Sequence, residues 1–187
     1  LLGPSFDHST ARHDVGMVWR APDVDQVEGS LVDDERSMLP GYLAYQRSVL
    51  LRRCAGLTGA ELARRAVPPS SLSLLGLLRH LAKVERRWFR ERFAGENLDP
   101  LYDPALGADA DFDDLDPARA STDYARLLDE FRRADAAVAG ASLDDTFPLD
   151  GEECSLRFVY LHMIGEYARH NGHADLLRER IDGVTGP

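Results

Sequence analysis

Residues 154–180 read CSLRFVYLHMIGEYARHNGHADLLRER. At about 100° per residue this stretch forms one helix with an apolar stripe. Leu156, Met163 and Leu177 share a heptad position with His170, while Tyr160, Tyr167, Ala174 and Ile181 form the adjacent row. An imidazole therefore stands in the middle of the stripe, where a leucine would ordinarily be. Glu166 lies one turn earlier and His173 one turn later, both within about 60° of His170 on the wheel. A carboxylate on a core-facing side costs several kcal/mol at least when it is left unpaired, so this face needs a partner.

Three more long helices precede it. Between Asp34 and Leu57, Met38, Leu39, Tyr42, Leu43, Tyr45, Val49, Leu50 and Leu51 recur at helical spacing, with Pro40 placed in the first turn and Gly56 at the end. A short helical piece around Ala60–Ala66 closes at Pro68-Pro69. Ser70-Ser71 caps a second long helix carrying Leu74, Leu75, Leu77, Leu78, Leu81, Val84, Trp88, Phe89 and Phe93, stopped by Gly95. A third runs from Ser121 or Thr122 to about Ala139, and Asp150-Gly151 reads as the turn before the fourth. No stretch alternates usefully at period two, so no sheet is predicted. The expected fold is all-α, a four-helix bundle, with a crossover of roughly 25 residues between helices two and three that permits a parallel pair there. The domain spans 34–184. Residues 1–33 lack a sustained period and read as an irregular N-terminal leader, with Met17 a candidate internal start.

The chain has 187 residues, 22 Lys+Arg, 32 Asp+Glu and a net charge of −10. That length suits one domain with a self-sufficient core. The charge argues against a nucleic-acid partner and against an anionic membrane surface. Apolar runs are far short of the ~20 residues a membrane span needs, and the N-terminus carries no signal-peptide pattern. Cys54 and Cys154 form no CxxC, so neither a disulfide scaffold nor a cysteine zinc site is suggested. A cytoplasmic protein is expected.

A divalent metal would account for the polar face of the fourth helix. Glu166-x-x-x-His170 sets two ligands on one face, as bundle cores do, and a third must come from another helix. His80 is the only histidine in the other three long helices and flanks the Leu77, Val84 and Trp88 stripe. Three protein ligands plus water make an open site. The competing reading is an ordinary core: a satisfied His80, and Glu166 paired with Arg169, Arg178 or Lys83. Spacing alone leaves both open. Asp109-x-Asp111-x-Asp113 is not an EF-hand loop, because Asp114 and Ala120 stand where Gly and Glu are required, and it reads as a solvated acidic loop. HExxH and phosphate-loop patterns are absent.

Several stretches together resemble an actinobacterial branch of the DinB-like superfamily, related to the mycothiol-dependent maleylpyruvate isomerases. They are Ser155–Val159, His162–Ile164 and Glu166–Glu179, with Tyr45-Gln46-Arg47, Gly56-Leu57-Thr58, Leu77–Ala82 and Val84-Glu85-Arg86. The resemblance covers about residues 34–184. It implies an up-down-down-up four-helix bundle, often a homodimer, with a metal held by a histidine of helix two and a His- or Glu-x-x-x-His pair of the last helix. Those positions are His80, Glu166 and His170 here. His173 becomes a support of the site or faces the substrate, as do Gln46 and Tyr42 on helix one and Arg169; Arg79 and Arg178 are further candidates for anionic substrate groups. The implied cofactor is a divalent metal, with zinc foremost and nickel, manganese or iron also suited to a His2Glu set. The implied activity is thiol S-transfer from mycothiol, the co-substrate, to electrophilic small molecules. Metal-assisted hydrolysis and a non-catalytic, stress-related binding bundle are the alternatives.

Overall fold

The computed structural model describes residues 18–185; the rest of the leader, with Met17, lies outside them. Helix α1 spans Glu35–Cys54, capped by Asp34, whose Oδ1 accepts from the Ser37 amide at 2.9 Å. Pro40 is the sixth residue of this helix rather than part of its first turn, so it removes one interior hydrogen bond. Helix α2 is the single turn Gly59–Leu62, closed by a reciprocal capping box between Thr58 and Glu61.

Helix α3 spans Leu74–Glu85 and its cap is Ser73, not Ser70 or Ser71: the Ser73 hydroxyl accepts from the Gly76 amide at 3.1 Å. The chain continues from it as a π-helix over Arg86–Phe93. That wider turn lets Arg86 and Arg90, four residues apart, grip both oxygens of the buried Glu130 at 2.8 Å each. The crossover carries one α-helical turn, α4, at Ala110–Asp113, between 3-10 turns at Pro104–Leu106 and Pro117–Arg119, and α5 follows at Ala120–Val138.

Strands β1 (Thr146–Leu149) and β2 (Glu152–Ser155) form an antiparallel hairpin in which Thr146 faces Ser155 and Leu149 faces Glu152. The expectation of no sheet is thereby corrected. Four-residue strands are too short to display a period, and the hairpin is set by its turn: Asp150 and Gly151 both have positive φ, 51° and 91°, as a two-residue Asp-Gly connection requires. Helix α6 then runs from Leu156 to Asp182, capped by Ser155 and ended by Gly183 at φ 81°.

Among the described residues the chain is thus mostly helical with one small sheet. Helix α1 packs along α6, and α3 packs against α5, α4 and α6. Leu43, Leu50, Leu77, Leu78, Leu81, Leu127, Leu156, Met163 and Tyr167 are fully buried between them. Each such aliphatic side chain stabilises the fold by about 1.5–3 kcal/mol. Part of the leader is docked on this core: Arg20 bridges Thr58, Ala21 is buried, and Trp19 meets Tyr124 edge-on at 5.9 Å.

One polar cluster ties the four long helices together. Arg47 of α1 holds both oxygens of Glu85 of α3 at 2.7 Å, and Tyr167 of α6 donates to the same carboxylate at 2.9 Å. Arg47 also reaches Asp135 of α5 at 2.8 Å and lies over the Phe131 ring. Losing one member of such a buried pair leaves an unpaired charge, at a cost of about 3–5 kcal/mol.

Candidate metal centre

The i,i+4 step along α6 carries Glu166 and His170 onto the face turned toward α3, and there His80 meets them. One ligand atom from each of the three lies within 4.8 Å of the others. Both imidazole Nε2 atoms converge on Oε1 of Glu166, His170 at 3.2 Å and His80 at 3.3 Å. His170 is buried, and the other two are partly open to solvent.

The crossover supplies the support behind His80. Asp111 is 1% exposed; its Oδ2 lies 2.8 Å from Nδ1 of His80 and its Oδ1 accepts from Lys83 Nζ at 2.6 Å. Burial by itself would push the Asp111 carboxyl up, but the bonds from His80 and Lys83 outweigh it and hold it at about 2. An ionised carboxylate only accepts, so Nδ1 of His80 must carry the hydrogen. The Phe112 ring stacks on His80 with centroids 4.9 Å apart, which fixes the imidazole plane. On the other side, Nδ1 of His173 lies 3.3 Å from Nδ1 of His170. Burial is the main cause that lowers His170 to about 4, with the neighbouring His80 adding to it, so its imidazole is neutral at pH 7. Burial also works to raise Glu166, but His80 and His170 hold it below its usual range and it is ionised.

Whether a cation fits depends on the donors that meet here. Nδ1 of His80 is engaged by Asp111, and its Nε2 faces Glu166 together with Nε2 of His170. Two imidazoles and one carboxylate whose ligand atoms lie within 4.8 Å of one another are a donor set for a divalent transition metal. The carboxylate behind His80 matches the second partner that metal-bound histidines usually have. The residues present therefore fit a metal.

The remaining candidates fall at different distances from the triad. Gln46 is buried and accepts from Nδ2 of Asn171 at 2.8 Å, next to His170 in the chain. Tyr42 is half exposed and stacks on Tyr45 at 5.5 Å; no hydrogen bond joins it to the triad among the described residues. Arg169 is exposed, 3.9 Å from Oε2 of Glu166. Lys83 and Arg178 do not pair with Glu166: the first holds Asp111, and the second holds Asp182 and the carbonyls of Arg53 and Ala55. Arg79 is also committed, to Asp123 at 3.1 Å and to the carbonyls of Ala110 and Asp111, so it is not a free anion receptor. The acidic loop is not wholly solvated, since Asp111 is one of its residues. Asp111 and Phe112 were not foreseen as parts of the site, because nothing local sets Asp111 apart from the six other aspartates of the crossover. Both cysteines are buried with raised thiol pKa values, Cys54 at about 12, and neither is a nucleophile at neutral pH.

In comparisons with known proteins, the family model described as MST: Mycothiol-S-transferase matches residues 38–183. That span runs from the first turns of α1 to the end of α6 and includes His80, Glu166 and His170. No curated protein and no solved structure matches the chain.

Proposed function

The chain belongs to the mycothiol-S-transferase family, a branch of the DinB-like superfamily, and from that premise we propose a metal-dependent enzyme that joins the sulfur of mycothiol to electrophilic small molecules. The observation that carries the metal dependence is the convergence of His80 Nε2, Glu166 Oε1 and His170 Nε2 within 4.8 Å. His80, Glu166 and His170 are the proposed ligands of a divalent ion, zinc first, with nickel, manganese and iron suited to the same donors. Such an ion supplies Lewis acidity that allows a thiol to be held as thiolate near neutral pH.

The protein's own part is to keep that site open and aligned. Asp111 holds the Nδ1 hydrogen of His80, which leaves the Nε2 lone pair directed at the site. Burial keeps His170 neutral and able to ligate. With Nε2 given to an ion, Nδ1 of His170 would carry the hydrogen, toward Nδ1 of His173 at 3.3 Å, and that contact would orient the ring. In the transfer the thiol gives its proton to solvent water, the sulfur lone pair forms the new S–C bond, and the leaving group departs with the electrons of the bond it breaks. The same reading takes residues 34–184 as one up-down-down-up bundle of α1, α3 with its π extension, α5 and α6. The packing of α1 on α6 and of α3 on α5 supports that arrangement. It also implies a cytoplasmic site of action, where low-molecular-weight thiols are kept reduced. Among the described residues no helix is long and apolar enough to cross a membrane.

The test is metal content by elemental mass spectrometry, alongside mycothiol-dependent consumption of chlorodinitrobenzene. About one equivalent and measurable turnover are expected in wild type. Both should be lost in His80→Ala, Glu166→Ala and His170→Ala. A wild type that transfers mycothiol at full rate without metal would overturn the metal dependence, and one that takes up metal but consumes no thiol would overturn the transferase reading.

A further inference from the structure

Helix α6 and α3 with its π extension meet on two successive levels. On one, His80 meets Glu166 and His170; on the other, Trp88 meets His162 with ring centroids 4.2 Å apart. His162 stands one turn before Glu166 on α6, about 6 Å along the helix axis. Phe158, one turn further, closes the group: it stacks with His162 at 6.0 Å and lies 6.2 Å from Trp88. Its ring is 48% exposed, so an aromatic surface lies open to solvent beside the candidate metal centre.

Packing does not account for the floor of this surface. Gly165 shares the face of α6 that carries Phe158 and Arg169. It is exposed, and a Cβ built on it would meet nothing within 4 Å. Glycine inside a helix costs about 1 kcal/mol relative to alanine, and no neighbour requires it here. The missing side chain leaves bare backbone between Phe158 and Arg169, against which a flat molecule can lie.

The charges around the rings are specific too. In the π segment Arg86 and Arg90 are spent on Glu130 and Glu96, whereas Arg92 forms no ion pair among the described residues and lies 4.2 Å over the Trp88 ring. Arg169 is exposed on the opposite flank. Two arginines thus border the rings in a chain whose net charge is −10.

We propose that Trp88, Phe158 and His162, floored by Gly165, seat the electrophile and select a planar aromatic ring with an anionic substituent, which Arg92 pairs. The proposal rests on the S-transferase reading and names the class of its second substrate. An aliphatic electrophile has no π face to stack and gains nothing from the rings. With a chloroaromatic substrate, the thiol gives its proton to solvent water and sulfur bonds the ring carbon that bears chlorine. Chloride then leaves with the electrons of the C–Cl bond.

The test is steady-state kinetics of metal-loaded protein with mycothiol and three electrophiles: chlorodinitrobenzoate, chlorodinitrobenzene and iodoacetamide. Phe158→Ala should lower kcat/KM for both aromatics, relative to iodoacetamide, about three- to tenfold. Gly165→Ala should raise KM for both aromatics about tenfold without lowering Tm, because the added methyl obstructs the seat but no part of the fold. Arg92→Gln should raise KM for chlorodinitrobenzoate about tenfold more than for chlorodinitrobenzene, with Arg92→Lys recovering most of the difference. Unchanged selectivity in both Phe158→Ala and Gly165→Ala overturns the seat, and equal losses with the two aromatics in Arg92→Gln overturn its preference for an anion. A wild-type dimer that Phe158→Ala converts to monomer, with selectivity intact, would make this face an interface between copies and overturn the seat as well. In each of these cases the S-transferase reading stands. Should wild type transfer thiol to none of the three, that reading fails, and titration calorimetry with dinitrobenzoate, which has no leaving group, decides the seat separately. Saturable binding weakened by Arg92→Gln supports it, and no binding to wild type overturns it.

Discussion

The two oxygens of Asp111 make different bonds, one to Lys83 and one to His80, and together they explain a buried acid in a loop that reads as solvated. Asp111→Asn keeps the shape and removes the charge. Metal affinity is expected to fall about 10- to 100-fold, as for other partners that stand behind a metal-bound histidine. Competition with a chromogenic chelator measures it. His80, Glu166 and His170 were legible because a polar residue on an apolar face is conspicuous one residue at a time. Asp111 was not, because its partner is 31 residues away and only the path of the crossover joins them. Cys54 gives a second test at this scale. Burial raises its thiol from 9.0 to about 12, so the folded protein keeps it protonated where the unfolded chain ionises it. The associated stability is complete below about pH 9 and is lost as pH rises toward 12. Iodoacetamide at pH 8 should therefore leave Cys54 unmodified in the native protein and alkylate it in urea, as read by intact mass.

Among the elements, the contact between α3 and α4 decides how the site is held. A Cβ built on Gly76 would lie 2.9 Å from Cδ1 of Phe112, the ring that stacks on His80. In Gly76→Ala the helix gains about 1 kcal/mol of propensity, while displacing the ring costs about 1–3 kcal/mol. The net loss of stability is expected to be under about 2 kcal/mol by urea denaturation, yet metal affinity should drop with it, because Phe112 and Asp111 move together. An unaltered affinity would show that the ring has no part in aligning His80. The long helices were readable from period and caps. The π segment after Glu85 was not, since Arg86–Phe93 keeps a helical pattern of apolar residues and Glu130, which Arg86 and Arg90 both hold, is about 40 residues away in the chain. The hairpin was half visible: its Asp-Gly turn was read, its four-residue strands were too short to register.

For the whole molecule, metal and fold should be coupled through mass action. A site at a thousandfold excess of free metal over its Kd contributes about 4 kcal/mol. In a protein of this size each kcal/mol moves Tm by about 2–4 °C. Chelation should then lower Tm by about 8–16 °C in wild type. It should have no effect in His170→Ala, by differential scanning calorimetry. The cluster of Arg47, Glu85, Asp135 and Tyr167 was hidden from the sequence for the reason Asp111 was: its four members come from four helices, and Arg47, Glu85 and Asp135 each look like surface residues in their own helices.

The shared carboxylate of Asp111 has a consequence for degradation. Whatever a cation gains from a well-held His80 must be returned, by reciprocity of linkage, as resistance of the crossover to opening. Cleavage by a protease within residues 96–116 should slow as metal is added, so that the metal-free form is cleared faster than the metal-bound one.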